Sequence, residues 1–156
     1  MAMNYYFVND PVAQKAAREA RKARLADIAL ENTAANVCVI EIRKGLTGRA
    51  CYASGKLSAP RPSTRKALYI FLHECAHFAL HANGKRRKRY MEEMEAEQWA
   101  HARMREAGIP VPRQMTRRAK AYVHRKMRQA FMRGATSFDA RALRFTGSRQ
   151  IRTVKS

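Results

Sequence analysis

The stretch from residue 68 to 82, Leu-Tyr-Ile-Phe-Leu-His-Glu-Cys-Ala-His-Phe-Ala-Leu-His-Ala, constrains the fold more than any other part of the chain. It is long enough for several helical turns. Ala67 to Leu72 and Phe78 to Leu80 are apolar on nearly every side, the pattern of a buried helix. Inside it His73, Glu74 and His77 form an H-E-x-x-H string. On a helix, positions i and i+4 project to nearly the same side, about 40° apart and about one turn apart in height. Two imidazoles so placed can share one tetrahedral ion at about 2.0–2.1 Å. Glu74 falls at the edge of that face, where a carboxylate can take a proton from a metal-activated water. A solvated helix could carry the same string by chance. Buried His and Glu, however, need partners or a metal, and the flanks here are apolar. Cys75 lies about 200° round from His73 and faces the core.

A catalytic zinc takes three protein ligands and keeps one position open, so a third ligand is sought on the next element. Asn83-Gly84 ends the first helix, and a second runs from Tyr90 to about Ala107, stopped by Gly108 and Pro110. The short connection makes the two an antiparallel hairpin. Measured from the bend, His77 lies about 8 Å back along one arm and Glu95 about 10 Å back along the other, at about 1.5 Å per residue. Glu95 can therefore reach the ion. The same geometry admits Glu92 and Glu93. The start of the second helix carries Glu92, Glu93, Glu95 and Glu97, four of the twelve acids in the chain.

His73-Glu74-Cys75-Ala76-His77, followed by Met91-Glu92-Glu93-Met94-Glu95-Ala96-Glu97-Gln98-Trp99-Ala100, resembles the ImmA/IrrE-type zinc metallopeptidases. In that family a Glu-Ala-(Asn/Asp)-x-Phe-Ala segment on the next helix supplies the third ligand. The likeness covers roughly residues 36 to 107 and includes a small sheet before the H-E-x-x-H helix. It implies a gluzincin-like zinc site of His73, His77 and Glu95, with Glu74 as general base. Glu97 stands where the family often has Asn or Asp, and Trp99 where it usually has Phe, which bears on substrate preference. The implied substrate is a protein, such as a DNA-bound repressor of a mobile element or a stress response. His81, one turn past His77, can support the site or line the cleft. A metzincin pattern would want a histidine where Asn83 stands. His101 would be the third ligand if the chain were instead similar to the SprT-type proteases, but it lies nearly two turns farther from the bend.

Around this centre, Asp10 can cap and Pro11 open a basic helix reaching about Leu30, whose alanine-rich stripe is expected on the core. Asn36 to Arg43 reads as a strand, and Arg49 to Ser54 as a second pairing back on it after a Gly45–Gly48 turn. Gly55 to Pro62, with two prolines and no periodicity, reads as a loop. Ser63 or Thr64 can cap the central helix. The predicted fold class is α+β: a mainly helical zincin-like domain over residues 1–109 with a two- to three-stranded sheet. A basic helical extension, 110–156, follows Ile109-Pro110-Val111-Pro112. That extension holds thirteen Lys or Arg and one acid, Asp139. It is expected to form a helix from Thr116 to Arg133, a shorter helix begun by Ser137 or Asp139, and a disordered basic tail from Thr146. Its two helices either cover the zincin fold or form a helix-turn-helix, though no turn signature supports the latter.

The net charge of +20 favours polyanionic partners. The run Lys85-Arg86-Arg87-Lys88-Arg89 is a nucleic-acid patch, a localisation signal, or a solvated cap on the negative end of the central helix. A second function class is therefore a basic nucleic-acid-binding protein with a structural or degenerate zinc site. Cys38, Cys51 and Cys75 read as reduced core thiols. With no signal pattern and no apolar stretch of about 20 residues, a cytoplasmic protein without membrane contact is expected.

Overall fold

The computed structural model describes residues 10–84 and 87–148. Its centre is a pair of packed helices, α2 (Arg65–His81) and α3 (Arg89–Glu106). Thr64 caps α2 by accepting a hydrogen bond from the Ala67 backbone N–H at 3.2 Å, a device worth about 1 kcal/mol. Every α2 residue from Ala67 to Leu72 is buried, as are Cys75, Ala76 and Phe78, so the apolar flanks do form a core helix. Truncating a fully buried side chain such as Leu72 to alanine costs about 2–5 kcal/mol. After α2 the chain turns through Gly84, whose φ of +76° suits a residue without Cβ. Lys85 and Arg86 of the basic run lie outside the described residues.

The sheet differs from the expected hairpin. Its order is β1 (Val39–Arg43), β3 (Lys56–Pro60), β2 (Arg49–Cys51). The segment expected as a loop is its central strand. β3 pairs parallel with β1, Val39 opposite Lys56, and antiparallel with β2, Arg49 opposite Ser58. The prolines hid it, yet Pro60 is only its last residue, where a missing N–H costs little. Leu57 and Ala59 are fully buried and the strand packs on α2. Glu41 ties β1 to β3, accepting from the Ser58 hydroxyl at 2.5 Å and pairing with Lys56 at 3.1 Å. Residues Tyr52–Ser54, expected in the second strand, form a 3-10 turn.

α1 (Pro11–Glu31) begins as expected, Asp10 accepting from the Val12 N–H at 2.9 Å. Its alanine stripe does not reach the core: residues 11–24 are all exposed, and only Leu25, Ile28 and Ala29 are buried. Alanine side chains remove little apolar area from water, so the last two turns do the anchoring.

α4 (Arg113–Met132) and α5 (Ala140–Thr146) cover α3. Met115, Ala119, Val123 and Met127 recur at four-residue spacing on the buried face of α4. Val123, Met127 and Ala142 pack with Tyr90, Met91 and Met94 of α3, while Met115 joins the core around α2. Buried clusters thus span the connection at residues 109–110. Asp139, rather than Ser137, caps α5 through the Arg141 N–H at 2.8 Å. Residues 149–156, most of the expected tail, lie outside the described residues. No helix among the described residues is long and apolar enough to cross a membrane.

The cysteines divide by environment. Cys75 is buried, and burial pushes its thiol up to about 12; Cys51 is half-buried and Cys38 exposed, against the expectation of three core thiols. Under native conditions a maleimide should modify Cys38 readily and Cys75 only after denaturation. Mass spectrometry of the labelled peptides checks this, and equal native labelling of the two would contradict the packing.

Candidate metal centre

One stripe of α3 is buried: Tyr90, Glu93, Met94, Glu97, Ala100, His101 and Met104. They recur at spacings of three and four, the repeat of one helical face. Glu93 and Glu97 therefore sit one turn apart on the buried side, against the His73 and His77 face of α2. Glu95 is about 200° round from Glu93 and points elsewhere.

Three ligand atoms meet in the resulting interface. His73 Nε2 and His77 Nε2 are 3.2 Å apart, and Glu93 Oε2 lies 3.3 Å from the first and 3.6 Å from the second. Atoms bound to one ion at about 2.0–2.1 Å with tetrahedral angles stand about 3.3–3.4 Å apart. Charge-assisted hydrogen bonds are shorter, about 2.7–2.9 Å. The triangle thus has the dimensions of a ligand set. His73, His77 and Glu93 form a group that could hold a metal ion, and the donors present, two imidazoles and one carboxylate, suit zinc.

The sequence expectation is corrected at one position. His73 and His77 converge as expected, and Glu93 rather than Glu95 joins them. Glu95 accepts from Arg87 Nη1 at 2.7 Å and lies 3.7 Å from Arg141 Nη2, tying α3 to the chain before it and to α5. Matching heights along two helices could not separate these glutamates, because rise says nothing of rotation. The separating signal was the stripe of Tyr90, Met94, Ala100 and Met104, on which Glu93 and Glu97 fall and Glu95 does not.

A second layer holds the first. Glu97 Oε1 lies 3.4 Å from His73 Nδ1, and its Oε2 accepts from the Tyr69 hydroxyl. With that hydroxyl proton committed to Glu97, the His101 Nε2–H donates to the Tyr69 oxygen, at 3.0 Å. His101 is thereby removed from the ligand set. A carboxylate behind a histidine fixes which ring nitrogen faces the ion, and here it turns Nε2 toward Glu93. His81, one turn beyond His77, donates from Nε2 to the Glu92 carbonyl at 3.2 Å and supports α3 from α2. Arg89 Nη2 lies 2.6 Å from Glu93 Oε1, leaving Oε2 for the imidazoles.

The charges respond to this crowding. Burial opposes a charge on His73, but Glu93 and Glu97 outweigh it and raise the imidazole to about 10. Burial and the neighbouring His73 hold His77 below its ordinary value. Glu93 is lowered, its two imidazoles outweighing burial. Glu74, also buried, is raised to about 7, chiefly by loss of water. A carboxyl near neutrality can both take and return a proton.

Glu74 owes its place to Gly48. A Cβ added at Gly48 would stand 2.4 Å from Glu74 Oε1, so the carboxylate occupies space that any side chain there would fill. Read from the sequence as a turn residue, Gly48 is needed for this clearance. Both residues line a cleft of about 660 Å³ that includes His73, His77 and Glu93 and is walled by Arg49 of β2 and Tyr122 of α4. No family model matches this chain, and no curated protein or solved structure does either.

The ligand assignment predicts a split between neighbours. Against a chromophoric chelator, Glu93→Gln should lower zinc affinity by about 100-fold or more and Glu97→Gln by about 10–100-fold, while Glu95→Gln stays within about threefold of wild type. Equal losses at positions 93 and 95 would refute the assignment.

Proposed function

We propose that the protein is a zinc-dependent endopeptidase of gluzincin type, akin to the ImmA/IrrE-type enzymes, with His73, His77 and Glu93 as ligands and Glu74 as general base. The observation that carries this reading is the ligand-spaced triangle with a near-neutral carboxyl beside it in an open cleft. A zinc ion held there would acidify water and polarise a carbonyl. Glu74 takes the proton of the attacking water as its oxygen bonds to the scissile carbonyl carbon. It returns that proton to the leaving nitrogen as the C–N bond breaks, yielding one carboxylate and one amine. Glu97 and Tyr69 keep His73 oriented throughout, and Gly48 leaves the base its room.

A polypeptide substrate is favoured by the sheet. β2 is an edge strand, hydrogen-bonded to β3 alone among the described strands. Residues Leu46 to Ala50 border the cleft. An extended peptide can add to such an edge through main-chain hydrogen bonds, whatever its side chains. Three free thiols fit a reducing compartment, and on this reading the protein works in the cytoplasm on a protein partner, for which a DNA-bound repressor remains the substrate suggested by the family likeness.

Glu74→Gln should keep one zinc per chain and lose about 10²–10⁴-fold in cleavage of a peptide library followed by mass spectrometry. Gly48→Ala should fold and bind zinc normally, because the nearest atoms its Cβ meets, from Cγ to Oε1 of Glu74, belong to one side chain that can turn away and not to backbone. It should still cleave at least about tenfold more slowly, because the base is displaced. Undiminished cleavage by Glu74→Gln would defeat Glu74 as the base, and a zinc-loaded wild type that cleaves nothing in the library would end the peptidase reading in favour of a basic binding protein with a structural metal.

A further inference from the structure

The wall of the cleft opposite the H-E-x-x-H helix comes from α4, and its chemistry is unlike that of the floor. Arg118, Tyr122 and Arg125 stand at spacings of four and three residues, so one face of the helix looks into the cleft. Across from them Arg49 borders the same cleft from β2. Two of the three acids of the floor are already engaged: Glu93 with the imidazoles and Arg89, Glu97 with His73 and Tyr69. Arg49, Arg118 and Arg125 are exposed, and none has an acidic partner among the described residues.

Arg125 is also held in place. Its guanidinium lies 5.0 Å from the centre of the Tyr122 ring, and Lys126 approaches the same ring at 5.2 Å. A guanidinium stacked on an aromatic face loses little further freedom when it binds, and its N–H fork remains available to a carboxylate. The α4 backbone rises about 10.5 Å between Arg118 and Arg125. On an extended chain, side chains that share a face lie about 6.8 Å apart at a two-residue spacing and about 13.6 Å at four, which brackets that distance within the reach of long side chains.

We propose that the α4 wall selects an acidic segment of a protein chain, Arg118 and Arg125 each receiving a carboxylate from residues two or four apart on one face of the strand as it runs between α4 and β2. This deepens the peptidase reading and rests on it for the polypeptide nature of the ligand. It also gives part of the +20 charge a specific use. The arginines gather acidic chains by long-range attraction and fix their position over the floor by short-range pairing. A nucleic acid strand would be attracted too, but it offers no backbone donors to the β2 edge.

Binding to the zinc-loaded Glu74→Gln protein, read by fluorescence anisotropy, tests this without relying on turnover. The probes are short labelled peptides with Asp or Glu two or four residues apart, and matched peptides with Gln or Lys there. The acidic peptide should bind at least about tenfold more tightly than the Gln peptide, with a preference that shrinks as salt rises. Arg118→Glu combined with Arg125→Glu should abolish the preference. Both sites are solvent-exposed, and the Arg118→Gln, Arg125→Gln pair serves if the reversal disturbs folding. Equal affinity for acidic and Gln peptides would overturn the proposal, as would a preference that survives either double variant. Tighter, Arg118-dependent and Arg125-dependent binding of a single-stranded oligonucleotide would overturn it in favour of nucleic acid. A protein that binds the acidic peptide but shows no Glu74-dependent cleavage would sink the peptidase reading alone. Glu74-dependent cleavage without charge preference would sink acidic recognition alone.

Discussion

Everything in this molecule is arranged around ionisable side chains placed where water cannot solvate them. Glu74, His77, Glu93, Glu97 and His101 are all buried between α2 and α3 or at the edge of that interface. An isolated charge in such a place costs several kcal/mol. The cost is met by mutual pairing: Glu93 spans the two imidazoles and Arg89, and Glu97 spans His73 and Tyr69. These pairs also set the relative position of the helices. Sliding α3 by one turn, about 5.4 Å, would set Glu97 or Arg89 where Glu93 now stands and leave another carboxylate without its partner. An apolar interface alone would tolerate such a slip more easily.

The rest of the chain packs around this interface. β3 covers α2 from behind with Leu57 and Ala59, and α4 and α5 cover α3 with Val123, Met127 and Ala142. The basic extension is therefore structural on one face of α4 and free on the others. Met115, Ala119, Val123 and Met127 bury one stripe, while Arg118, Tyr122 and Arg125 present another to the cleft. A single helix thus closes the core and gives the cleft its positive wall. α1 behaves differently: its first fourteen residues are exposed, and it is anchored to the body by the buried Leu25, Ile28 and Ala29 and by a hydrogen bond from Arg24 Nη2 to the Ala107 carbonyl at 2.9 Å.

How much of this could be read beforehand varied with the range of the interaction. His73 and His77 were legible because one helix fixes both their spacing and their direction. Asp10 was legible as a cap because capping is local, and Thr64 and Asp139 were legible each as one of two neighbouring candidates. The order of the sheet was not, since pairing β1 parallel to β3 with β2 on the far side depends on contacts that no neighbouring residues encode. The two prolines near β3 made matters worse by imitating a loop. Among the glutamates of α3, height along the hairpin was readable from residue counts, but rotation needed the buried stripe as a reference.

The sequence by itself determined that a buried helix would present two imidazoles and a carboxyl on neighbouring faces, because helical geometry acts within a few residues. It also determined that a second, acid-rich helix would follow close by. Only the tertiary structure decided that Glu93 meets those imidazoles while Glu95 turns to Arg87, that Gly48 makes room for Glu74, and that α4 faces the cleft. Those outcomes depend on the rotation and packing of whole elements, which are settled by the joint burial of apolar stripes far apart in the chain.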